Sequence, residues 1–112
     1  MVKKILEKAG FIENKTYKQT KFIKSPDETY CVYHLDIDSV GSDRNRYADD
    51  VHCEIEMYCK DKPDEISAAR LISSLDEHYE NFTDGYEIDR FMWIENLQMY
   101  QSIFRFDYIQ KY

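Results

Sequence analysis

The sequence predicts one α+β domain over residues 1–112, in the order helix, strand, strand, helix, strand, strand, with an antiparallel sheet that carries its helices on one face. Three observations support this prediction. The length and the composition, 43% hydrophobic and 33% charged, are those of one globular unit. Two segments have apolar residues at helical spacing. Four others alternate apolar and polar residues, or concentrate aromatic and branched ones, as strands do.

The first predicted helix is short and lies at the start of the chain. Its apolar residues have the spacing of one helix face, and Gly10 stands where a left-handed residue commonly ends a helix. The stripe consists of Val2, Ile5, Leu6 and Ala9. Residues 11–25 hold few apolar side chains, and we expect a short edge strand at Phe22 and Ile23 before a turn at Pro26.

Two long strands with period-two alternation follow this turn. In the first strand, the apolar side chains are those of Cys31, Tyr33, Leu35 and Ile37, and the polar ones are those of His34, Asp36 and Asp38. In the second strand, the apolar side chains are those of Val51, Cys53, Ile55, Met57 and Cys59, and they alternate with His52, Glu54, Glu56 and Tyr58. Such alternation is typical of strands with one buried face. We therefore predict that the two strands pair as a long-looped hairpin.

The second half of the chain predicts one helix and two further strands. Pro63 and the neighbouring carboxylates favour a helix start, and an apolar stripe continues from there to near Phe82. Residues 86–95 and 100–109 are predicted as strands joined by a turn at residues 95–98. Because the helices cover one face, we expect surplus aromatic side chains on the other to favour self-association. These side chains are Tyr86, Phe91 and Trp93.

Charge is distributed unevenly along the chain. The net charge is −7, yet residues 1–24 hold seven lysines against Glu7 and Glu13, so the remainder is strongly acidic. Such a surface repels free nucleic acid, whereas opposite charges on separate patches favour head-to-tail contacts between copies. The candidate interface charges are Lys3, Lys4, Lys8, Asp76, Glu77 and Glu80. The sequence has no run long enough for a membrane span and no secretory signal, so we expect a cytosolic protein.

One repeated pattern has the residue types of a metal site. His34, Asp36, His52 and Glu54 share one face of two predicted neighbouring strands, and divalent metals favour mixed imidazole and carboxylate ligands. A small metal-dependent hydrolase is therefore one hypothesis. We favour the simpler interpretation, because alternation alone already accounts for every acid on a half-exposed sheet.

The remaining chemistry-bearing residues favour a protein without enzyme activity and without a cofactor. Cys31, Cys53 and Cys59 lie on the apolar sides of their strands, where a thiol is usually an inert core residue, and their odd number favours neither disulfides nor a zinc site. The long polar loop between the first two strands is a candidate interaction loop. Its candidate residues are Asp43, Arg44, Asn45 and Arg46.

A succession of segments from Tyr30 onward has a recognisable pattern. It comprises a Tyr-rich strand, a loop with Gly41, Ser42, Asp43 and Asn45, a strand of the form Val51-x-Cys53-x-Ile55-x-Met57-Tyr58, an acidic helix, and Glu95-x-x-Gln98-Met99-Tyr100 before an aromatic strand. This pattern resembles small tail proteins of Gram-positive bacteriophages and prophages, of the tail terminator and tail-completion class. The resemblance covers about 80 residues and rests on a pattern of elements, without a catalytic signature.

The resemblance implies a small α+β protein without enzyme activity that closes into a ring, commonly six-fold, at the head-proximal end of the tail tube. The implied partners are copies of itself, the tail tube and the head–tail connector proteins, with no sequence-specific nucleic acid binding and no membrane. The implied locations are the host cytoplasm during assembly and then the virion tail. A neck or head-closure protein has the same size, charge and fold class, so that role stays open.

A third class of function is also open from the sequence. A bacterial adaptor or immunity-type protein would use an acidic helix to mimic nucleic acid or to cover a basic partner. The carboxylates that would carry this contact in the second predicted helix are Asp76, Glu77 and Glu80.

Overall fold

The computed structural model describes residues 1–40 and 48–111, and within them it places two helices against one sheet of five strands. The elements are α1 (Val2–Lys8), β1 (Tyr17–Gln19), β2 (Tyr30–Val40), β3 (Ala48–Cys59), α2 (Glu65–Glu77), β4 (Phe82–Ile94) and β5 (Met99–Lys111), with a 3₁₀ turn at Tyr79–Asn81. The spatial order is β1-β2-β3-β5-β4, in which β1 runs parallel to β2 and the other neighbours are antiparallel. The predicted α+β class is therefore confirmed, with one strand more than expected.

The additional strand is β1, which lies earlier in the chain than the edge strand expected at Phe22 and Ile23. Tyr17 anchors β1, since its ring is buried and its hydroxyl donates hydrogen bonds to Glu7 at 2.5 Å and to Glu13 at 3.1 Å. Phe22 packs from a loop, and Ile23 is 96% exposed. The prediction of a strand at Phe22 and Ile23 is wrong. The edge strand forms instead where Tyr17 is buried beside two carboxylates.

The two helices form a layer on one face of the sheet. Ile5 and Leu6 of α1 and Leu71 and Leu75 of α2 are fully buried in the core. The Ser74 hydroxyl donates a hydrogen bond to the Ile5 carbonyl oxygen at 2.7 Å and ties α2 to α1. Burying an aliphatic side chain of this size stabilises a fold by about 1.5–3 kcal/mol, so these contacts fix the position of both helices.

A side-chain cap defines the start of α2. The Asp64 carboxylate accepts hydrogen bonds from the backbone N–H of Ser67 at 3.0 Å and from the Thr29 hydroxyl at 2.6 Å. Partial burial acts to raise the pKa of Asp64, but these hydrogen bonds outweigh it and lower the pKa below its ordinary value. The helix ends at Glu77, earlier than expected, because Phe82 already belongs to β4.

The register of the strands divides the sheet into a helix-covered face and an opposite face, here named the open face. The covered face contributes the main core, which includes Cys31, Tyr33, Val51, Cys53, Ile55, Met57, Phe104, Phe106 and Tyr108. The open face has a smaller apolar cluster at the end where β2 begins. There the Tyr30 ring stacks on Tyr58 at a centroid distance of 5.2 Å, and Phe22 meets Tyr30 edge-on at 5.5 Å.

The edge strand β4 is irregular at two places. Its register against β5 shifts on either side of residues 86–89. Gly85 and Phe91 lie near these shifts and have positive φ angles of 69° and 46°. Register shifts with a left-handed residue are typical of β-bulges, which bend an edge strand and make it a poorer template for further strand pairing.

The aromatic side chains of β4 do not line the open face as expected. Tyr86 and Phe91 pack against the main core. Tyr86 pairs with Phe106 on the covered face, and the register shift after Asp89 directs Phe91 to the same face. The Phe91 N–H donates a hydrogen bond to the Ser102 hydroxyl at 2.9 Å, which stabilises this bulge. Trp93 is 45% exposed and contacts the Tyr100 ring at 5.0 Å. Tyr100 pairs with Cys59, so Trp93 also belongs to the covered side. The expected aromatic surface on the open face is therefore wrong for Tyr86, Phe91 and Trp93.

Candidate interaction surface on the open sheet face

Charged side chains occupy the open face between the aromatic cluster and the β2–β3 hairpin. The register places His52 between Asp36 and Asp107 in one row, and Glu54 beside Arg105 in the next. Carboxylates dominate these rows, and together they are named the acidic field: Asp36, Asp38, Asp50, Glu54, Glu56, Glu87, Asp89 and Asp107. Period-two alternation brings them together, because every second residue of each strand points to this face.

His52 occupies a central position in the acidic field. Its Nδ1 lies 2.9 Å from Oδ1 of Asp107, and its Nε2 lies 3.3 Å from Oδ2 of Asp38 and 3.8 Å from Oδ2 of Asp50. The hydrogen bond to Asp107 is the main cause that raises the pKa of His52 above 6.5, and desolvation opposes it. The surroundings therefore favour an imidazolium ion that links β2, β3 and β5.

His34 and Arg105 of this face also lie beside its carboxylates. Nε2 of His34 lies 3.1 Å from Oε1 of Glu56. Nε of Arg105 lies 3.1 Å from Oε1 of Glu54, and its Nη1 lies 2.8 Å from Oδ2 of Asp89. These ion pairs cross between neighbouring strands and hold the charged rows in register, although each exposed pair contributes only about 0–1 kcal/mol to stability.

The hypothesis of a metal site can be compared with these positions. The structure does bring His34, Asp36, His52 and Glu54 into adjacent rows around a shallow depression of about 230 Å³. The imidazoles, however, pair with Glu56 and with Asp107 and Asp38, instead of converging with Asp36 and Glu54. Within residues 1–40 and 48–111, no three His, Cys, Asp or Glu side chains form a group suited to a metal ion.

The three cysteines lie where the sequence predicts them. Cys31, Cys53 and Cys59 are free thiols buried on the helix-covered face. Burial raises the pKa of the Cys31 thiol well above its ordinary value and raises the pKa of Cys53 to about 12. Thiols in this environment stay protonated at neutral pH and serve as small core side chains.

A basic segment lies beside the aromatic end of the open face. The Thr20 N–H donates a hydrogen bond to the Tyr33 carbonyl oxygen at 2.9 Å, and the Phe22 ring packs on Tyr30, so the segment is held against the sheet. Ile23 follows and is 96% exposed. Residues 15–24, named the basic arm, contain no Asp or Glu and carry Lys15, Lys18, Lys21 and Lys24. The candidate interface charges predicted from the sequence include none of these four lysines, although their even spacing is a visible signal.

Some of the candidate interface charges predicted from the sequence form ion pairs or hydrogen bonds within the chain. Because α1 packs beside α2, Nζ of Lys8 lies 2.6 Å from Oε2 of Glu77. Lys3 pairs with Glu13 at 2.8 Å, and Asp76 accepts a hydrogen bond of 2.5 Å from a tyrosine of β4. The other two candidates, Lys4 and Glu80, are exposed. Opposite charges of the two helices thus pair with each other within the chain. The opposite charges of the basic arm and the acidic field lie on separate parts of the surface.

Comparison with protein-family models, with curated proteins and with solved structures gives no match for this chain. Neither helix of the described segments is long and apolar enough to cross a membrane. The candidate interaction loop at Asp43, Arg44, Asn45 and Arg46 lies outside the described residues.

Proposed function

We propose that this chain is a non-enzymatic structural protein of a bacteriophage or prophage tail, of the tail terminator or tail-completion class, which assembles with copies of itself into a ring. The observation that carries the proposal is the separation of charge on one side of the subunit. The basic arm lies at the aromatic end of the open face, and the acidic field extends from there to the β2–β3 hairpin. The sequence pattern from Tyr30 onward supports the choice of this class.

Separated charge favours one geometry of self-association. When two different patches of one subunit are complementary, each copy offers one patch to the next, and the chain of contacts closes into a ring if the rotation permits. Exposed ion pairs contribute little individually, so such an interface also needs apolar contact. Ile23 in the basic arm is 96% exposed, and Ile109 next to the acidic field is 44% exposed.

The pairing of the polar groups supports a binding role for this face. His34, His52 and Arg105 each contact neighbouring carboxylates, which suits a surface with a fixed pattern of polar groups. A neck or head-closure protein would use the same surface, so its partner in the particle distinguishes the two roles.

Sedimentation velocity at low ionic strength, over a range of protein concentrations, tests the proposal. We expect a concentration-dependent oligomer of one size, which negative-stain electron microscopy would show as closed rings. Assembled tail tubes of the phage that encodes the chain, added to the subunit, should acquire one ring at the head-proximal end. A chain that stays monomeric at every concentration and does not bind tube ends contradicts the proposal.

The position of the gene provides an independent check. Tail genes of phages are clustered, so a structural role predicts neighbouring genes for a portal, a major tail and a tape-measure protein. A location among metabolic genes would contradict the assignment, even if the chain forms oligomers.

A further inference from the structure

The basic arm and the acidic field lie at different positions along the same strands. Gln19 of the arm pairs with Tyr33, whereas the last row of the field pairs Asp38 with Asp50, five residues farther along β2. At about 3.3 Å per residue, this distance is about 17 Å, and it is larger for Phe22, which contacts Tyr30. The arm of one subunit therefore cannot reach the far end of its own acidic field.

Some lysines of the chain pair with its own carboxylates, and those at the end of the arm do not. Lys3, Lys8 and Lys60 each lie within 4.0 Å of a carboxylate of the same chain. In the described segments, no carboxylate pairs with Lys21 or Lys24, which flank the exposed Ile23. The arm therefore presents two cations and one aliphatic side chain to the surroundings.

The far end of the acidic field has the complementary properties. Asp36 and Asp38 are exposed, and Ile109 lies in the row of Asp50 with 44% of its surface exposed. A depression of about 230 Å³ lies in the two rows next to this end, those of His34 and of Asp36. Ile23 between Lys21 and Lys24 suits this surface. The lysines are opposite in charge to its carboxylates, and the isoleucine is apolar like Ile109.

We infer that the basic arm of one subunit docks on the acidic field of a second copy of this chain. Ile23 contacts the open face near Ile109, and Lys21 and Lys24 lie beside the carboxylates of the partner copy. The inference rests on the proposed self-association and identifies the two surfaces that form it. Because arm and field are different patches, the contact is heterologous and leaves one arm and one field available at the ends of every open assembly.

Two double variants with reversed charge test this inference. Lys21→Glu with Lys24→Glu alters the arm, and Asp36→Lys with Glu87→Lys alters the field at exposed positions. Each variant alone should associate at least about tenfold more weakly than the wild type at low ionic strength, because like charges then face each other. A neutral arm variant, Lys21→Gln with Lys24→Gln, should give a smaller loss and replaces the first variant if that one does not fold.

Mixing the variants provides the sharper measurement. The field variant retains an intact arm, and the arm variant retains an intact field, so their equimolar mixture should form a one-to-one complex that neither forms alone. The remaining arm and field both carry reversed charges, which are again opposite in sign, so the mixture should assemble further with the two variants alternating. Sedimentation velocity would show these assemblies in the mixture and monomers in each variant alone. A mixture that remains monomeric overturns the inference.

The control is Lys62→Glu with Arg90→Glu, which changes the net charge equally at two exposed cations outside the arm. This variant should associate like the wild type, and an equal loss would overturn the assignment to the arm. The outcomes separate the two proposals. If the wild type never associates, the proposed self-association fails together with this inference. If the wild type associates and the arm variant does so equally well, only the docking by the arm fails.

Discussion

A neutral imidazole carries a single N–H, so it cannot donate to two carboxylates at once. His52 has Asp107 at one ring nitrogen and Asp38 at the other, at 2.9 and 3.3 Å. The arrangement is therefore complete only when the ring is protonated. The raised pKa of His52 follows from this geometry and makes the residue sensitive to pH near neutrality.

Replacing Asp107 by Asn should lower the pKa of His52, because the main stabilising partner of the imidazolium loses its charge. NMR titration of the ring protons measures this change, with Asp84→Asn as the control at an exposed carboxylate of β4. The folded pKa lies above 6.5, so the contribution to stability is full below pH 6.5 and is lost as the pH rises through the folded value. An unchanged His52 pKa in the Asp107→Asn variant would contradict the ion pair.

Tyr17→Phe should reduce the free energy of unfolding by about 1 kcal/mol, because the variant loses the hydrogen bonds from the hydroxyl to Glu7 and Glu13 while the ring stays buried. Urea denaturation measures the change. Tyr79→Phe is the matched control, since Tyr79 is 57% exposed. Equal losses in both variants would show that the buried hydroxyl has no special role.

Among the elements, β4 shows how an edge strand limits further pairing. The register shifts around residues 86–89 interrupt the regular ladder, and Gly85 adopts a left-handed conformation at one of them. A regular exposed edge is a template for pairing with another strand, so these bulges disfavour strand pairing at this edge.

Gly85→Ala should lower the free energy of unfolding by about 1–2 kcal/mol, because an L-residue is disfavoured at a φ of 69°. An added Cβ would also approach the Tyr79 hydroxyl oxygen at 3.1 Å, but that ring end can move, so most of the cost comes from the backbone. Thermal unfolding of this variant and of the exposed control Thr83→Ala measures the difference. An Ala variant as stable as the wild type would contradict this account of the bulge.

The sequence predicts long elements well and short or irregular ones poorly. The alternation in β2 and β3 extends over many residues, so one register satisfies the whole buried face and the predicted hairpin is confirmed. β1 has only three residues, and its position depends on a buried hydroxyl that contacts α1 and the following turn. The bulge at Phe91 turns its ring to the face opposite to the expected one, and no residue pattern in the sequence indicates this bulge.

For the whole molecule, the association of subunits should weaken strongly as ionic strength rises. The Debye length falls from about 30 Å at 0.01 M to about 3 Å at 1 M, so contacts between exposed lysines and carboxylates are screened. Light scattering at a fixed protein concentration measures the change. Association that grows with salt would indicate a mainly apolar interface and would contradict the dominance of the charged surfaces.

The candidate surface was predictable only in part from the sequence. Alternation alone places His34, Asp36, His52 and Glu54 on one face, and the structure confirms that placement. The partners of each imidazole depend on strand register and on β5, which lies far away in the chain. The helix charges appear separate along the sequence, yet packing brings Lys8 and Glu77 together, because α1 and α2 lie side by side.

The burial of Cys31, Cys53 and Cys59 has a practical consequence for the intact subunit. A thiol-specific alkylating reagent can react with Cys31 only after the native structure opens, since that side chain has no exposed surface. The rate of alkylation, followed by mass spectrometry, therefore measures how often the sheet separates from its helices. Rapid labelling of Cys31 under native conditions would contradict its place in the core. The buried thiol of Cys31 thus reports local opening of the structure, without any added label.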